Sequence, residues 1–207
     1  MGRGKQRVLF GIFCMLLLSA LFSNCSSVRH MRITYGPPPP DQALQGKNVF
    51  IEFQDSRETT EIFGEGAREK YKYISPNVDL YIALGEGEAS RRGLRDISSL
   101  FKEAFTERIE GLGGRVVSRG SEADVVLSII LQSFKLDMED WVWSGLMEYE
   151  ARLSREGGGM AWQNVKSGGE RVKIIGVEQA DRVMSDLFTR GVNEVDLVSL
   201  FGRLEEK

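Results

Sequence analysis

One histidine, His30, and two cysteines, Cys14 and Cys25, carry all the imidazole and thiol chemistry of this 207-residue chain. Zinc sites need several Cys or His ligands, and a Ser-His-Asp triad needs an imidazole held beside a serine. Neither can be built from one isolated histidine, so no metal, no cofactor and no nucleophilic centre is expected. Asp137, Glu139 and Asp140 cluster between two apolar stretches. Sugar-cleaving chemistry needs two carboxylates set apart across a cleft. Adjacent acids in a turn are instead expected to be solvated, leaving no catalytic residue. Gly85-Glu86-Gly87-Glu88-Ala89-Ser90 occupies the place of a phosphate loop, but Ser90 replaces the third glycine and two glutamates would face the anion. A glycine turn followed by a helix cap at Ser90 is the expected reading.

Two other pairs stand out by spacing. Asp55 and Arg57, two apart at the end of an expected strand, are placed to form an ion pair that fixes a loop. Trp141 and Trp143, also two apart, would project from one face of an extended segment. Indole rings with one wet end suit partner contacts, so this pair is the candidate contact site, with packing under a helix end as the alternative.

The N-terminus determines where such a surface would act. Met1 to Arg7 is basic, Val8 to Phe22 is almost unbroken apolar, and Ser23-Asn24-Cys25 follows. This is the layout of an export signal, too short in its apolar part for a comfortable bilayer span. A cysteine just beyond the apolar run, followed by Ser26 and Ser27, resembles the lipobox of bacterial lipoproteins, although Phe22 and Asn24 depart from its usual residues. Residues 1–24 are therefore expected to be removed and Cys25 to carry the lipid. The alternative is an uncleaved anchor followed by an incidental thiol. Ser26, where an aspartate would favour inner-membrane retention, points to the outer membrane. The chain has 27 Lys and Arg against 30 Asp and Glu, and loss of Arg3, Lys5 and Arg7 leaves it more acidic still. Such a charge balance excludes nucleic acid as an expected partner.

The rest of the chain must position these residues. Residues 25–45, with Pro37 to Pro40 unbroken, are expected to be a stiff tether. Residues 46–207 are expected to be one domain. Val49, Ile51 and Phe53 alternate as a strand, as do Val78, Leu80, Ile82 and Leu84. Leu94, Ile97, Phe101, Phe105 and Ile109 follow helical spacing up to Gly113-Gly114. Val125 to Leu131 reads as a strand covered on both faces, and Met147 to Leu153 as one buried on a single side. Gly157 to Gly159 turns the chain back into a strand beginning near Met160. A second long amphipathic helix is expected from Glu178 to Leu204. The fold class is α+β: a mixed, largely antiparallel sheet with two long helices packed on one face.

This order resembles the YajG family of small bacterial envelope lipoproteins. The likeness rests on the lipobox-like cysteine, the strand ending Asp55-x-Arg57, the helix reaching Gly113-Gly114-x-Val116-Val117, the strand opening Ala123-Asp124-Val125, a hairpin and a closing helix. It implies a non-enzymatic lipoprotein and supplies no catalytic residues. The expected function is that of a lipid-anchored interaction or accessory protein in the cell envelope. Its partners would be the membrane, through the lipid, and an envelope protein or lipid. A periplasmic binding module for an apolar or lipid ligand is the alternative, and an envelope hydrolase the third.

Overall fold

The computed structural model describes residues 29–70, 74–83, 89–155, 157–172 and 178–205. Cys25, Ser26 and the expected signal segment lie outside these, as do residues 84–88 of the glycine-rich stretch.

Among the described residues eight strands and four α-helices follow one another. They are β1 (Arg29–Tyr35), β2 (Asn48–Asp55), α1 (Glu65–Lys70), β3 (Ile74–Ala83), β4 (Ala89–Arg95), α2 (Ile97–Gly111), β5 (Arg115–Val116), β6 (Val125–Glu139), β7 (Val142–Ser154), β8 (Met160–Val172), α3 (Glu178–Glu194) and α4 (Leu197–Glu205). A five-stranded sheet has the order β5-β2-β6-β7-β8. Its β5, β2 and β6 run parallel, and β6, β7 and β8 antiparallel. The fold is α+β, as expected.

Period-two burial explains the main sheet. Along β7 the residues alternate, so that Trp143, Met147, Tyr149, Ala151 and Leu153 turn inward while Glu148, Glu150 and Arg152 stay partly wet. The inward faces of β2, β6 and β8 add Val49, Ile51, Leu127, Ile129, Leu131, Phe134, Ala161 and Val165. Helix α2 lays Leu100, Phe101, Ala104, Phe105 and Ile109 on this face, and α3 adds Val183, Leu187, Phe188 and Val192. Phe101 lies at the centre, with ring centroids 5.9 Å from Phe134, 5.7 Å from Tyr149 and 5.2 Å from Phe188, all edge-on.

Three expectations change. Helix α2 does not begin near Ser90; Ala89–Arg95 is β4, paired antiparallel with β3. Asp96 caps α2 instead, accepting from the Ser99 N–H at 2.6 Å, so Leu94 belongs to a strand. The closing helix bends at Val195 and Asp196, where Asp196 accepts from the Ser199 N–H at 2.9 Å and starts α4 as a separate helix.

The third change concerns the expected tether. Arg29–Tyr35 is a strand, parallel to β3, with Met31, Ile33 and Tyr35 buried, and Leu44 beyond the prolines is buried too. Its other edge is held by one polar stripe of α3. Ser185 Oγ accepts from the Thr34 N–H at 2.9 Å, Thr189 Oγ1 donates to the Thr34 carbonyl at 3.1 Å, and Asn193 Nδ2 donates to the Gly36 carbonyl at 2.9 Å. Those three side chains are four residues apart, which places them in one row along the helix. They satisfy backbone groups that an edge strand would leave to water.

Candidate functional site

The two tryptophans separate at the β6–β7 hairpin. Glu139 pairs with Val142 and Met138 with Trp143, which leaves Asp140-Trp141 as a two-residue turn. Both turn residues have positive φ, 44° at Asp140 and 69° at Trp141, the mark of a type I′ hairpin. Trp143 resumes the pleat on the inward face and is fully buried, whereas Trp141 stays 60% exposed at the tip. The expectation that both project from one face is therefore corrected: strand alternation does not run through a turn. Only Trp141 remains a candidate contact residue.

A left-handed backbone at a bulky side chain is costly, and this turn type ordinarily takes Asn-Gly. Here the position that glycine would relieve holds an exposed indole. Two more large side chains are exposed on β8, Met160 at 42% and Trp162 at 51%. Trp162 escaped the sequence reading, although its alternation with buried Ala161 placed it outward.

Asp55 and Arg57 form a two-pronged ion pair. Arg57 Nε donates to Asp55 Oδ1 at 2.8 Å and Nη2 to Oδ2 at 2.7 Å, while the Arg57 N–H donates to Oδ1 at 3.2 Å. The Arg57 hydrogen bonds hold the Asp55 carboxyl below its ordinary value. The pair closes a turn where β2 leaves the sheet, and the Arg57 side chain is 4% exposed.

Asp137 also serves the chain itself. One carboxylate oxygen accepts from the N–H of Ala67 at 3.1 Å and of Met138 at 2.8 Å, tying the start of α1 to β6. Among the described residues no group of three or more His, Cys, Asp and Glu is placed to hold a metal ion.

The polar groups with the most perturbed surroundings gather at the end of α3. Arg108, buried on α2, donates to the carbonyls of Val192 and Val195. Tyr149 donates to the Gly191 carbonyl at 2.8 Å and Tyr35 to Asn193 Oδ1 at 2.9 Å. Burial raises both tyrosine pKa values well above 10 and lowers that of Arg108. Arg108 and Tyr149 satisfy carbonyls that a helix end leaves open, and Tyr35 ties the Asn193 side chain beside them. Two clefts among the described residues are open troughs. One of about 630 Å³ is lined by Thr34, Gly36, Ser185, Asp186, Thr189 and Arg190. Another of about 560 Å³ includes Lys135, Ser144, Leu146, Gly168 and Glu170. Among the described residues no helix is long and apolar enough to cross a membrane.

No family model and no curated protein matches the chain. Solved structures do. Protein XCC0632 from Xanthomonas campestris, of the family DUF330, aligns with a TM-score of 0.55 at 13% identity, over 87% of this chain and 98% of its own. A neuraminyllactose-binding hemagglutinin homologue from Helicobacter pylori aligns at 0.44 with 11% identity, over 83% and 97%. Lipoprotein GNA1162 from Neisseria meningitidis aligns at 0.28 with 8% identity, over 72% and 99%. The Xanthomonas protein shares the overall fold.

Proposed function

We propose that the protein is a lipid-anchored accessory protein of the bacterial envelope, held by Cys25 to the outer membrane. Its domain contacts another envelope component through the β6–β7 hairpin tip and performs no chemistry of its own. The exposure of Trp141 in a left-handed turn position carries the reading. Residues held in sparsely populated backbone regions cluster at ligand clamps and other functional sites, which supports a role for Trp141 beyond its own turn. The export-like N-terminus and Cys25-Ser26 support the location.

A photo-reactive amino acid placed at position 141 in living cells tests the contact. The expected result is a discrete adduct with an envelope component, missing when the same probe stands at Val198, which is also exposed. No adduct at 141, or the same adducts at both positions, overturns the reading. Metabolic labelling with a fatty-acid analogue tests the anchor separately: Cys25→Ser should lose the label.

A further inference from the structure

We propose that β8 pairs antiparallel with β8 of a second copy of this chain, across a twofold axis at Gly168, extending the main sheet from one molecule into the next. The proposal is independent of Trp141.

A free sheet edge presents unmet N–H and C=O groups, and proteins usually blunt it by shortness, proline, bulges or a covering element. At the other end of the main sheet β5 is two residues long, and in the smaller sheet the edge of β1 is covered by the polar row of α3. Strand β8 is different. It runs 13 residues with no proline and pairs with β7 without a break in register.

Two observations show which of its residues face outward. The β7–β8 register matches Ser154 with Met160. One step into the turn, the Arg155 N–H donates to the Gly159 carbonyl at 3.4 Å. Odd-numbered residues of β8 thus direct their backbone groups to β7. At the even-numbered Trp162 the carbonyl accepts from Arg203 of α4, at 3.4 Å, from the opposite side. In an antiparallel strand a residue's N–H and C=O point the same way, so Asn164, Lys166, Gly168, Glu170 and Val172 offer theirs outward. Arg203 caps the edge at Trp162, and among the described residues no strand pairs with that stretch from the outer side.

Charge selects the partner and the register. A twofold at Gly168 sets Lys166 opposite Glu170 of the second copy, and Glu170 opposite its Lys166. All of these are even-numbered, so facing residues are hydrogen-bonded pairs that exchange both backbone bonds. Lys166 and Glu170 are exposed on the sheet face away from the helices, where cross-strand opposite charges attract. Lys166 already pairs with Glu148 of β7, and the dimer would set it between two carboxylates. Gly168 faces itself on the axis and brings no side chain to crowd the approach. The same patch meeting itself in this way closes as a dimer.

The test uses the full chain in its native envelope. At position 168 the facing Cα atoms of such a pair lie about 5.5 Å apart, within disulfide range. A Cβ added there meets nothing nearer than the Gly145 carbonyl at 4.0 Å, so Gly168→Cys is accommodated. On mild oxidation Gly168→Cys should give a disulfide dimer, while wild type and Asn164→Cys, whose position faces 172, should not. Adding Glu170→Lys to Gly168→Cys turns both charge pairs repulsive and should lower the dimer yield about tenfold. Folded but uncross-linked Gly168→Cys, equal cross-linking at 164 and 168, or indifference to Glu170→Lys overturns the proposal. Should Gly168→Cys fail to fold, sedimentation of the wild-type chain in density-matched detergent decides. Two copies are expected, and one copy overturns it.

Discussion

Arg108, in the middle of the protein, donates to the carbonyl of Val195 just where α3 gives way to α4, and the same guanidinium reaches Val192. A buried cation is costly to desolvate, and this one has backbone carbonyls as its acceptors. The planar fork of arginine spans two acceptors that a lysine ammonium would meet only as a point charge. Through it α2 is locked to the bend between the last two helices.

Replacing Arg108 by Met removes the charge and strands the carbonyls of Val192 and Val195. A buried unsatisfied acceptor costs about 1 to 3 kcal/mol, so an overall loss of about 3 kcal/mol is expected. Urea denaturation measures it. Arg108→Lys should recover less than half, and full recovery by lysine would show that only charge and volume matter.

Tyr35 and Tyr149 at the same junction make stability fall in alkali. Their pKa values are raised by burial, and a raised value means that the neutral form is favoured by folding. Their contribution is whole below the unfolded value of about 10 and is lost as pH rises beyond it. Between pH 9 and 11.5 the thermal midpoint should drop markedly. A Tyr35→Phe, Tyr149→Phe protein, less stable at neutral pH, should show a shallower fall over that interval. Equal slopes would place the alkaline sensitivity elsewhere.

The junction of α1 with β6 leaves no room for a side chain at Gly66. A Cβ there would lie 1.9 Å from the Met138 carbonyl oxygen, a backbone atom that cannot swing aside. Gly66→Ala should therefore destabilise by about 2 kcal/mol, in the usual range for overpacking, and should speed proteolysis between residues 56 and 70. An unchanged urea midpoint would mean that the close approach is not kept.

The elements legible in the sequence are those whose pattern needs no partner to read it. Val125 to Leu131 and Met147 to Leu153 announce β6 and β7 by apolar continuity and alternation, and Phe101, Phe105 and Ile109 announce α2. Strand β1 was not legible, because Met31, Ile33 and Tyr35 are few and adjoin the proline run. What holds them is a row of hydrogen bonds from Ser185, Thr189 and Asn193, which lie more than 150 positions away. Leu94 fitted a helical stripe equally well as a strand, and only the Asp96 cap separates the two. The tip at Asp140-Trp141 was hidden for a related reason. Without a glycine, nothing in the pair signals a type I′ turn, and the alternation of two aromatics looked unbroken.

The two tryptophans should consequently respond in opposite directions. Trp143→Ala empties a fully buried site and should cost about 3 to 5 kcal/mol. Trp141→Gly removes a side chain from a left-handed position that costs a non-glycine residue about 1 to 2 kcal/mol, so it should raise stability by about 1 kcal/mol. Burial lost with the indole works against this, because Trp141, at 60% exposure, still packs the rest of its surface on the fold. A stabilised protein that has also lost its contact is an outcome a purely structural tryptophan cannot produce. The measurement pairs urea denaturation of Trp141→Gly with chemical cross-linking of the same variant in the intact envelope. Higher stability with loss of the cross-linked species identifies Trp141 as a residue kept for a partner against the preference of its own turn. Lower stability with the cross-linked species intact would return it to the fold and remove the hairpin tip from the functional surface.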